Sequence, residues 1–300
     1  MTQATFSPDS LWSLVQATTQ QALQSGALAP IATQTCVLTA GELAFTVRVV
    51  DSLARKEAAR SRPPQSAQPF NPFLPYEEAL FVASLSETHV CLLNKFNVVD
   101  HHLLMVTRQY ESQDDWLTQQ DFAALARCLI EIEGLGFYNG GAVAGSSQPH
   151  KHLQLVPLMS PAGTAALPIT PAIAPHRESL KIAGQIPTLP FSHSIRVLAW
   201  PSLQDSHHTL TNSLLEAYQQ IMADLGIYRQ NGQPSEPYNL LVTRDWLMAV
   251  RRSQASYEGI NVNSLGYAGW LLVKDQSGLD QLKQIGPLTL LEQVGYPLGA

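Results

Sequence analysis

Two histidines and a glutamine stand on alternate positions of the stretch GSSQPHKHLQLVPL, residues 145–158. Because side chains two residues apart on a β-strand share one face, His150, His152 and Gln154 are predicted to point together, with Lys151 and the leucines on the other face. Neutral imidazole is a good nucleophile, and its ordinary pKa of about 6.5 leaves it mostly neutral at pH 7. The pattern indicates a cluster of polar, reactive side chains at the start of an apolar strand.

Three explanations fit this stretch. A polar strand face turned to water accounts for the alternation but not for the preceding SSQP. A zinc site would use both histidines, but no nearby cysteine or glutamate completes it, and glutamine is a poor ligand. The third explanation is nucleophilic attack on phosphorus, which needs hydrogen-bond donors around the phosphate oxygens. Donors of this kind come from Gly145, Ser146, Ser147 and Gln148, so we favour it.

The composition limits the class of protein. The 300 residues are 45% hydrophobic and 14% charged, with a formal net charge of −6, which allows a sizeable core. The sequence contains no run rich in lysine and arginine, so we expect no nucleic-acid partner. Neither a secretion signal nor an apolar run of about 18–20 residues is present, so we expect no membrane partner. The cysteines lack a C-x-x-C pair, so we expect a cytoplasmic protein.

The elements that must position these residues are mostly strands. Strand-like segments occur at 41–50, 79–85, 88–96, 101–108, 152–158, 192–200, 237–250 and 264–274. Helices are predicted at 7–26, 118–134, 208–226 and 278–295. Several strands follow one another with no helix between them. This order favours an α+β fold with a mainly antiparallel sheet flanked by helices over a doubly wound fold.

Three motifs together resemble one known family: LLNKF at 92–96, YNGGAVAGSSQPHKHLQ at 138–154 and NSLGYAGWLLVK at 263–274. The chain is similar to the ATP adenylyltransferases, also called diadenosine tetraphosphate phosphorylases, of the histidine-triad superfamily. In the triad hydrolases the third motif position is histidine, whereas in the transferases it is glutamine, as Gln154 is here. The resemblance implies a histidine-triad-like fold and reversible phosphorolysis of diadenosine tetraphosphate, with phosphate, to ATP and ADP.

The resemblance also implies the catalytic roles. By position, His152 would attack the α-phosphate and become adenylylated. His150 would orient and hydrogen-bond the reacting centre, and Gln154 would donate its amide to the phosphate oxygens. An amide cannot exchange protons at pH 7 as histidine can, which is consistent with transfer to phosphate rather than to water.

Further positions are implied to bind the substrate. For Asn94 and Lys95 the structural alternative is a β-turn with a solvated lysine, and for Asn139 it is an Asn-Gly turn. The implied positions are Lys56, Asn94, Lys95, Asn139, Gly145, Ser146, Ser147, Gln148, Asn263, Ser264, Leu265, Trp270 and Lys274.

The lysines carry a further argument. Lys56, Lys95 and Lys274 are half of the lysines in a chain of net charge −6. A substrate with about four negative charges must therefore be bound by a local positive field rather than by net charge. Glu57 follows Lys56 where the family has proline, so Arg55 could serve in its place.

Other features receive no site role. Alternation turns one residue of the His101–His102 pair inward and the other outward, and the His207–His208 pair precedes a helix. No metal-ligand cluster is evident, so no cofactor is required, although magnesium could accompany the nucleotide phosphates. The oligomeric state is not encoded in any visible pattern.

We treat residues 1–300 as a single catalytic unit. Residues 1–159 carry the histidine motif, 160–190 form an irregular connection rich in proline and alanine, and 191–300 complete the nucleotide site. Three alternative functions stay open. They are a dinucleoside polyphosphate hydrolase, an ADP-dependent sulfate adenylyltransferase using the same intermediate, and a non-catalytic nucleotide sensor. The intact H-K-H-L-Q argues against the sensor, because a pure binder needs no nucleophile.

Overall fold

The computed structural model describes residues 10–50, 71–160, 163–164, 166–199 and 207–299. The strands are β1 (Thr33–Ala40), β2 (Leu43–Val50), β3 (Phe81–Ser84), β4 (His89–Leu93), β5 (Leu103–Thr107), β6 (Gly134–Asn139), β7 (His152–Pro157), β8 (Met159–Ser160), β9 (Gly163–Thr164), β10 (His193–Val197), β11 (Arg229–Gln230), β12 (Gln233–Pro234), β13 (Tyr238–Val242), β14 (Trp246–Arg251), β15 (Ser256–Tyr257), β16 (Ile260–Asn261) and β17 (Trp270–Val273). The helices are α1 (Leu11–Ser25), α2 (Gln119–Glu131), α3 (Thr170–Ile173), α4 (His207–Asp224), α5 (Ser264–Tyr267), α6 (Gln276–Ile285) and α7 (Pro287–Val294).

A large antiparallel sheet holds the histidine strand at its centre. Its order is β10-β14-β13-β6-β7-β5-β4-β3, and each neighbouring pair runs antiparallel. In β7, His152 lies opposite Val106 of β5, and Gln154 lies opposite Leu104 of β5 and Phe137 of β6. The α+β prediction with a mainly antiparallel sheet is confirmed. Placing β7 between two strands fixes which face each of its side chains takes.

Helices cover one face of this sheet. Leu153 and Leu155 of β7 lie in a core that also contains the apolar sides of α1, α2 and α4. Thr118 and Asp121 form a capping box at the start of α2, which satisfies backbone N–H groups that would otherwise be unpaired. The predicted leucine face of β7 is therefore the helical face of the sheet.

A second, smaller sheet covers part of the other face. Its order is β1-β2-β17, with β17 parallel to β2. Together with α5, α6 and α7 it encloses a second core that includes Phe137 and Val156 of the large sheet. The sequence patterns predicted β2 and β17 but not β1, whose alternate side chains are exposed.

The described part of the 160–190 connection packs against the second core. It contains α3 and short 3-10 turns at Ala174–His176 and Ser179–Lys181. Its apolar side chains Leu167, Ile173 and Leu180 are buried in the second core. No helix within the described ranges is long and apolar enough to cross a membrane.

Candidate active site

The imidazole of His152 is held at one nitrogen and open at the other. Its Nδ1–H donates to the backbone carbonyl of His150 over 2.8 Å, which puts the lone pair on Nε2. No described residue forms a hydrogen bond with this Nε2. Among the described residues, polar side-chain atoms that are both buried from solvent and without a hydrogen-bond partner belong to Arg48, Asn97 and Ser194, and not to His152. The Nε2 atom of His152 is therefore open to a ligand.

Burial keeps the same imidazole neutral. His152 is 5% exposed, and the ring of Phe73 lies tilted against it at 5.3 Å between centroids. Burial is the main cause that lowers the pKa of His152 to about 4, against the bond to the His150 carbonyl, which raises it. His152 is therefore neutral at pH 7, and the neutral form of an imidazole is the nucleophilic one.

The ring of His150 is bound to the protein at both nitrogens. Its Nε2–H donates to the backbone carbonyl of Thr107 over 2.9 Å, and the carbonyl of Gln109 lies 3.2 Å away. The amide of Asn71 donates to its Nδ1 over 3.0 Å. The backbone carbonyl of His150 thus holds the ring of His152, while the ring of His150 is itself bound to Thr107, Gln109 and Asn71.

Gln154 presents its amino group because its oxygen is already bound. The Nε2–H of His102 donates to Oε1 of Gln154 over 2.9 Å, and the amide of Asn94 donates to Nδ1 of His102 over 3.1 Å. Burial lowers the pKa of His102 to about 4, so it stays a neutral donor. These bonds fix both the tautomer and the amide orientation. The amino group of Gln154 therefore points away from His102.

A glycine brings the residues before the histidine motif against the C-terminal part of the chain. Gly145 has a φ of +89°, and a Cβ built on it would lie 2.5 Å from the carbonyl oxygen of Val262 and 3.0 Å from Cα of Asn263. Only glycine accepts both this conformation and this approach. The implied substrate segments 145–148 and 263–265 are therefore in direct contact.

Open donors follow this glycine. The hydroxyl of Ser146 donates to the carbonyl of Gln148 over 2.9 Å, which closes a tight loop. The backbone N–H groups of Ser147 and Gln148 have no carbonyl partner within the described residues, and Ser147 is exposed. These two N–H groups are therefore left available as donors to an anion.

Asn139 and Ser264 join the two parts of the chain. The Oδ1 atom of Asn139 accepts hydrogen bonds from the backbone N–H of Ser264 over 2.9 Å and from its hydroxyl over 2.7 Å. The amide of Asn239 donates to the same oxygen over 2.9 Å. Asn263 caps α5 by accepting the N–H of Leu265 over 3.0 Å. The implied positions 139 and 263–265 are thus brought together across 125 residues of sequence.

The arrangement is one in which a neutral imidazole with an open lone pair stands beside several oriented donors. Such a site can attack an electrophilic phosphorus and neutralise its oxygens. Within the described residues no group of three or more His, Cys, Asp or Glu side chains could hold a metal ion. The zinc alternative therefore has no ligand set there.

The comparisons with known proteins agree on one family. The family model of the Ap4A phosphorylase N-terminal domain matches residues 1–175, where Ap4A is diadenosine tetraphosphate. The chain belongs to the Ap4A phosphorylase family. The model of the ATP adenylyltransferase C-terminal domain matches residues 187–297.

Two yeast relatives and a crystal structure support this membership. Diadenosine 5′,5‴-P1,P4-tetraphosphate phosphorylase 2 of Saccharomyces cerevisiae is 29% identical over 278 residues, which are 84% of this chain and 84% of that protein. Protein APA1 of the same yeast is 27% identical over 233 residues, 71% and 70% of the two chains. The crystal structure of yeast Ap4A phosphorylase Apa2 in complex with Ap4A matches with a TM-score of 0.75 at 25% identity, covering 97% of this chain and 98% of that one.

Some implied binding residues of this Ap4A phosphorylase family member make no described contact with His152. The ammonium of Lys95 pairs with the carboxylate of Glu77 over 2.6 Å at an exposed site. Lys274 is exposed at the end of β17 in the smaller sheet. Lys56 and its alternative Arg55 lie outside the described residues. No described contact joins Lys95 or Lys274 to the histidine strand.

Trp270, unlike the two exposed lysines, packs against a core. It is partly buried at the start of β17 and packs against the second core, which contains Phe137. Because Phe137 is the β6 partner of Gln154, Trp270 belongs to the layer that covers the Gln154 side of the large sheet. Asn94 is near the same side, but its amide is bound to His102.

Lys151 serves the opposite face of β7. Its ammonium lies 3.1 Å from a carboxylate oxygen of Asp121 and 3.1 Å from one of Glu111. The other oxygen of Asp121 is 3.1 Å from Nε2 of His89. Burial raises the pKa of Asp121, but the bond from His89 and the charge of Lys151 outweigh burial and lower it. This buried pair ties β7 to α2 and leaves Lys151 out of the reacting face.

Two residues that sequence reasoning missed shape the site. Gln113 accepts the backbone N–H of His152 over 2.8 Å and donates to the carbonyl of Asn139 over 2.8 Å. His102, which received no ligand role, holds Gln154. Its position at the start of an apolar strand that runs beside the motif strand was the one signal that could have found it. The exposed His207 and His208 contact Ala123 and Asn212 instead.

Proposed function

We propose that this chain catalyses the reversible phosphorolysis of Ap4A to ATP and ADP through an adenylylated His152. The observation that carries the proposal is the open Nε2 of a neutral imidazole whose Nδ1–H is held by the His150 carbonyl. Membership of the Ap4A phosphorylase family and the likeness to yeast Apa2 in complex with Ap4A support the choice of substrate.

In the first step, the Nε2 lone pair of His152 attacks the α-phosphorus of Ap4A. The bond from that phosphorus to the bridging oxygen breaks, and its electron pair leaves with ATP. The imidazole gains a positive charge, which the carbonyl of His150 stabilises through the Nδ1–H that it already accepts. A covalent phosphoramidate on His152 replaces one difficult displacement by two easier ones.

In the second step, an oxygen of inorganic phosphate attacks the adenylyl phosphorus. The bond to Nε2 breaks, its electron pair returns to the imidazole, and ADP leaves. In both steps the amino group of Gln154 donates to the phosphoryl oxygens, where negative charge accumulates. Because the amide of Gln154 does not take up or release a proton near pH 7, it offers no general base to activate water, which favours phosphate as the acceptor.

The test is incubation of purified protein with Ap4A, with and without phosphate, followed by chromatography of the products. We expect ATP and ADP in equal amounts with phosphate, and no turnover without it. Release of ATP and AMP in the absence of phosphate would identify a hydrolase instead. A parallel incubation of ADP with sulfate that forms adenylyl sulfate would identify the sulfate transferase. Nucleotide binding with no turnover in any arm would identify a sensor.

The proposal extends to location and metal. The cysteines Cys36, Cys91 and Cys128 are free, which supports a reducing compartment such as the cytoplasm. Magnesium would enter with the nucleotide phosphates, since a divalent cation often accompanies them. Chelation with EDTA is therefore expected to raise KM for Ap4A without changing the free energy of unfolding.

A further inference from the structure

A buried guanidinium lies beneath the candidate site. Arg252 is 0% exposed, and its nitrogens donate to the side-chain oxygen of Asn239 and to four backbone carbonyls. The carbonyls belong to Ala144 (3.2 Å), Val262 (3.1 Å), Gln254 (2.7 Å) and Val294 (3.0 Å). No carboxylate among the described residues pairs with it. A buried charge of this kind is tolerated only where several hydrogen bonds satisfy it.

Two of those carbonyls connect the cation to the substrate segments. Ala144 directly precedes Gly145, and Val262 directly precedes Asn263. The carbonyl oxygen of Val262 is also the atom that a Cβ at Gly145 would approach to 2.5 Å. One guanidinium therefore clamps the two chain segments that meet beside the nucleophile.

A directed chain of hydrogen bonds runs from this cation to Asn139. Because Arg252 donates to Oδ1 of Asn239, the amino group of Asn239 is turned away from Arg252. That amino group donates to Oδ1 of Asn139 over 2.9 Å and to the carbonyl of Ala144 over 2.8 Å. The oxygen of Asn139 takes two further donors from Ser264. Because every partner of this oxygen is a donor, the amide of Asn139 is held with its oxygen toward Asn239 and Ser264.

The consequence is an unpartnered amino group on Asn139. Its Nδ2 has no hydrogen bond to any described residue, and it is not among the atoms sealed from solvent without a partner. Asn139 lies at the end of β6, next to β7 and in contact with Ser264. An amino group held in this way offers two N–H donors to an anion without needing to reorient.

We propose that Asn239, held by the buried Arg252, is a positioning residue that turns the amide of Asn139 so that its amino group donates to the nucleotide. The proposal rests on the proposed function, since the ligand is the anionic nucleotide of that reaction. Asn239 itself is 0% exposed and touches no substrate. Its effect on the nucleotide passes through Asn139, while its second hydrogen bond holds the carbonyl of Ala144.

The test substitutes Asn239 in two ways. Asn239→Leu keeps the size and removes the donor, while Arg252, Asn139 and Ala144 each retain another partner, so we expect the protein to fold. Asn239→Asp replaces the donor by an acceptor that opposes the oxygen of Asn139. We expect kcat/KM for Ap4A to fall about 10-fold and about 100-fold respectively. The exposed Asn212→Asp adds the same charge on α4 and is expected to change kcat/KM less than twofold.

A double-mutant cycle separates positioning from a general loss of structure. In an Asn139→Ala background, both Asn239 substitutions are expected to change kcat/KM by less than about twofold, because no amide remains to be oriented. A loss of the same size in both backgrounds overturns the proposal, as does Asn239→Leu with unchanged kcat/KM. If Asn239→Asp fails to fold by thermal unfolding, Asn239→Leu decides the question alone.

Calorimetric binding of AMP to the same variants distinguishes this proposal from the proposed function. A wild-type protein that binds AMP but performs no phosphorolysis contradicts the function, while weaker AMP binding by Asn239→Leu still supports positioning. Unchanged AMP affinity in Asn239→Leu overturns positioning even if phosphorolysis is observed. A wild-type protein that binds no AMP overturns both.

Discussion

Two histidines of this chain share one local geometry and differ at a single atom. His152 begins β7 and His193 begins β10, and in each the Nδ1–H donates over 2.8 Å to the carbonyl two residues before it. Burial is the main cause that lowers both pKa values to about 4. At His193, however, the backbone N–H of Ile186 donates to Nε2 over 2.9 Å, whereas Nε2 of His152 has no partner among the described residues.

The difference lies in whether the second ring nitrogen is free to meet a ligand. A neutral imidazole, a fixed tautomer and a lowered pKa are common to both positions, so none of them distinguishes His152 from His193. At His193 the lone pair of Nε2 accepts the backbone N–H of Ile186, and this hydrogen bond stabilises the fold. At His152 the same lone pair is left open between oriented donors.

The largest expected effect comes from matched substitutions of these two histidines. His152→Ala removes the nucleophile and is expected to lower kcat for Ap4A phosphorolysis by about 10⁴-fold or more. His193→Ala leaves the N–H of Ile186 unpaired and is expected to reduce the free energy of unfolding by about 1–3 kcal/mol, with kcat within about twofold. Steady-state kinetics and urea unfolding measure both. Comparable loss of kcat in the two variants would remove the distinction between them.

The opposite face of β7 gives the next largest effect, on stability. Lys151→Met leaves Asp121 buried without its cation and is expected to lower the free energy of unfolding by about 3–5 kcal/mol. The folded fraction should keep its kcat, because Lys151 faces away from the nucleophile. Lys181→Met, which breaks an exposed pair with Glu178, is the control and should leave stability nearly unchanged. Loss of kcat in the folded Lys151→Met protein would place Lys151 in the chemistry.

A smaller effect on rate is expected from the donor to Gln154. His102→Phe keeps an aromatic ring but removes the N–H that holds Oε1, so the amide can turn its oxygen toward the phosphate. We expect kcat to fall about 10- to 100-fold. In a Gln154→Ala background the same change should have almost no further effect. Equal losses in both backgrounds would mean that His102 acts other than through Gln154.

The smallest effects concern pH. The neutral form of His152 is expected to persist down to about pH 4, so the rate of adenylylation should stay flat from pH 8 to pH 5 rather than fall near pH 6.5.

Stability should respond to pH differently. Between pH 6.5 and 4 the unfolded chain binds more protons than the folded chain at His102, His152 and His193, so the free energy of unfolding should fall as pH falls. His152→Ala and His193→Ala should flatten that slope equally, because their pKa values are alike. Different slopes in urea titrations of the two variants would contradict the comparison.

The sequence predicted what alternation and local motifs encode. Parity alone separated His152 and Gln154 from Lys151, and the run of strands without intervening helices predicted the antiparallel sheet. The sequence could not predict contacts that depend on which strands pair in the sheet and in which register. The bond from His102 to Gln154 spans 52 residues, that from Asn71 to His150 spans 79, and that from Asn239 to Asn139 spans 100. The free Nε2 of His152 depends equally on what the fold brings near it.

The most direct measurement is mass spectrometry of the intact and digested protein after incubation with Ap4A in the absence of phosphate. We expect one adenylyl group per chain, located on the peptide that carries His152, absent from His152→Ala and lost again when phosphate is added. The adduct should still form in His193→Ala. Phosphorolysis that proceeds with no adduct on His152, or an adduct that forms in His152→Ala, would contradict the role of the open imidazole nitrogen.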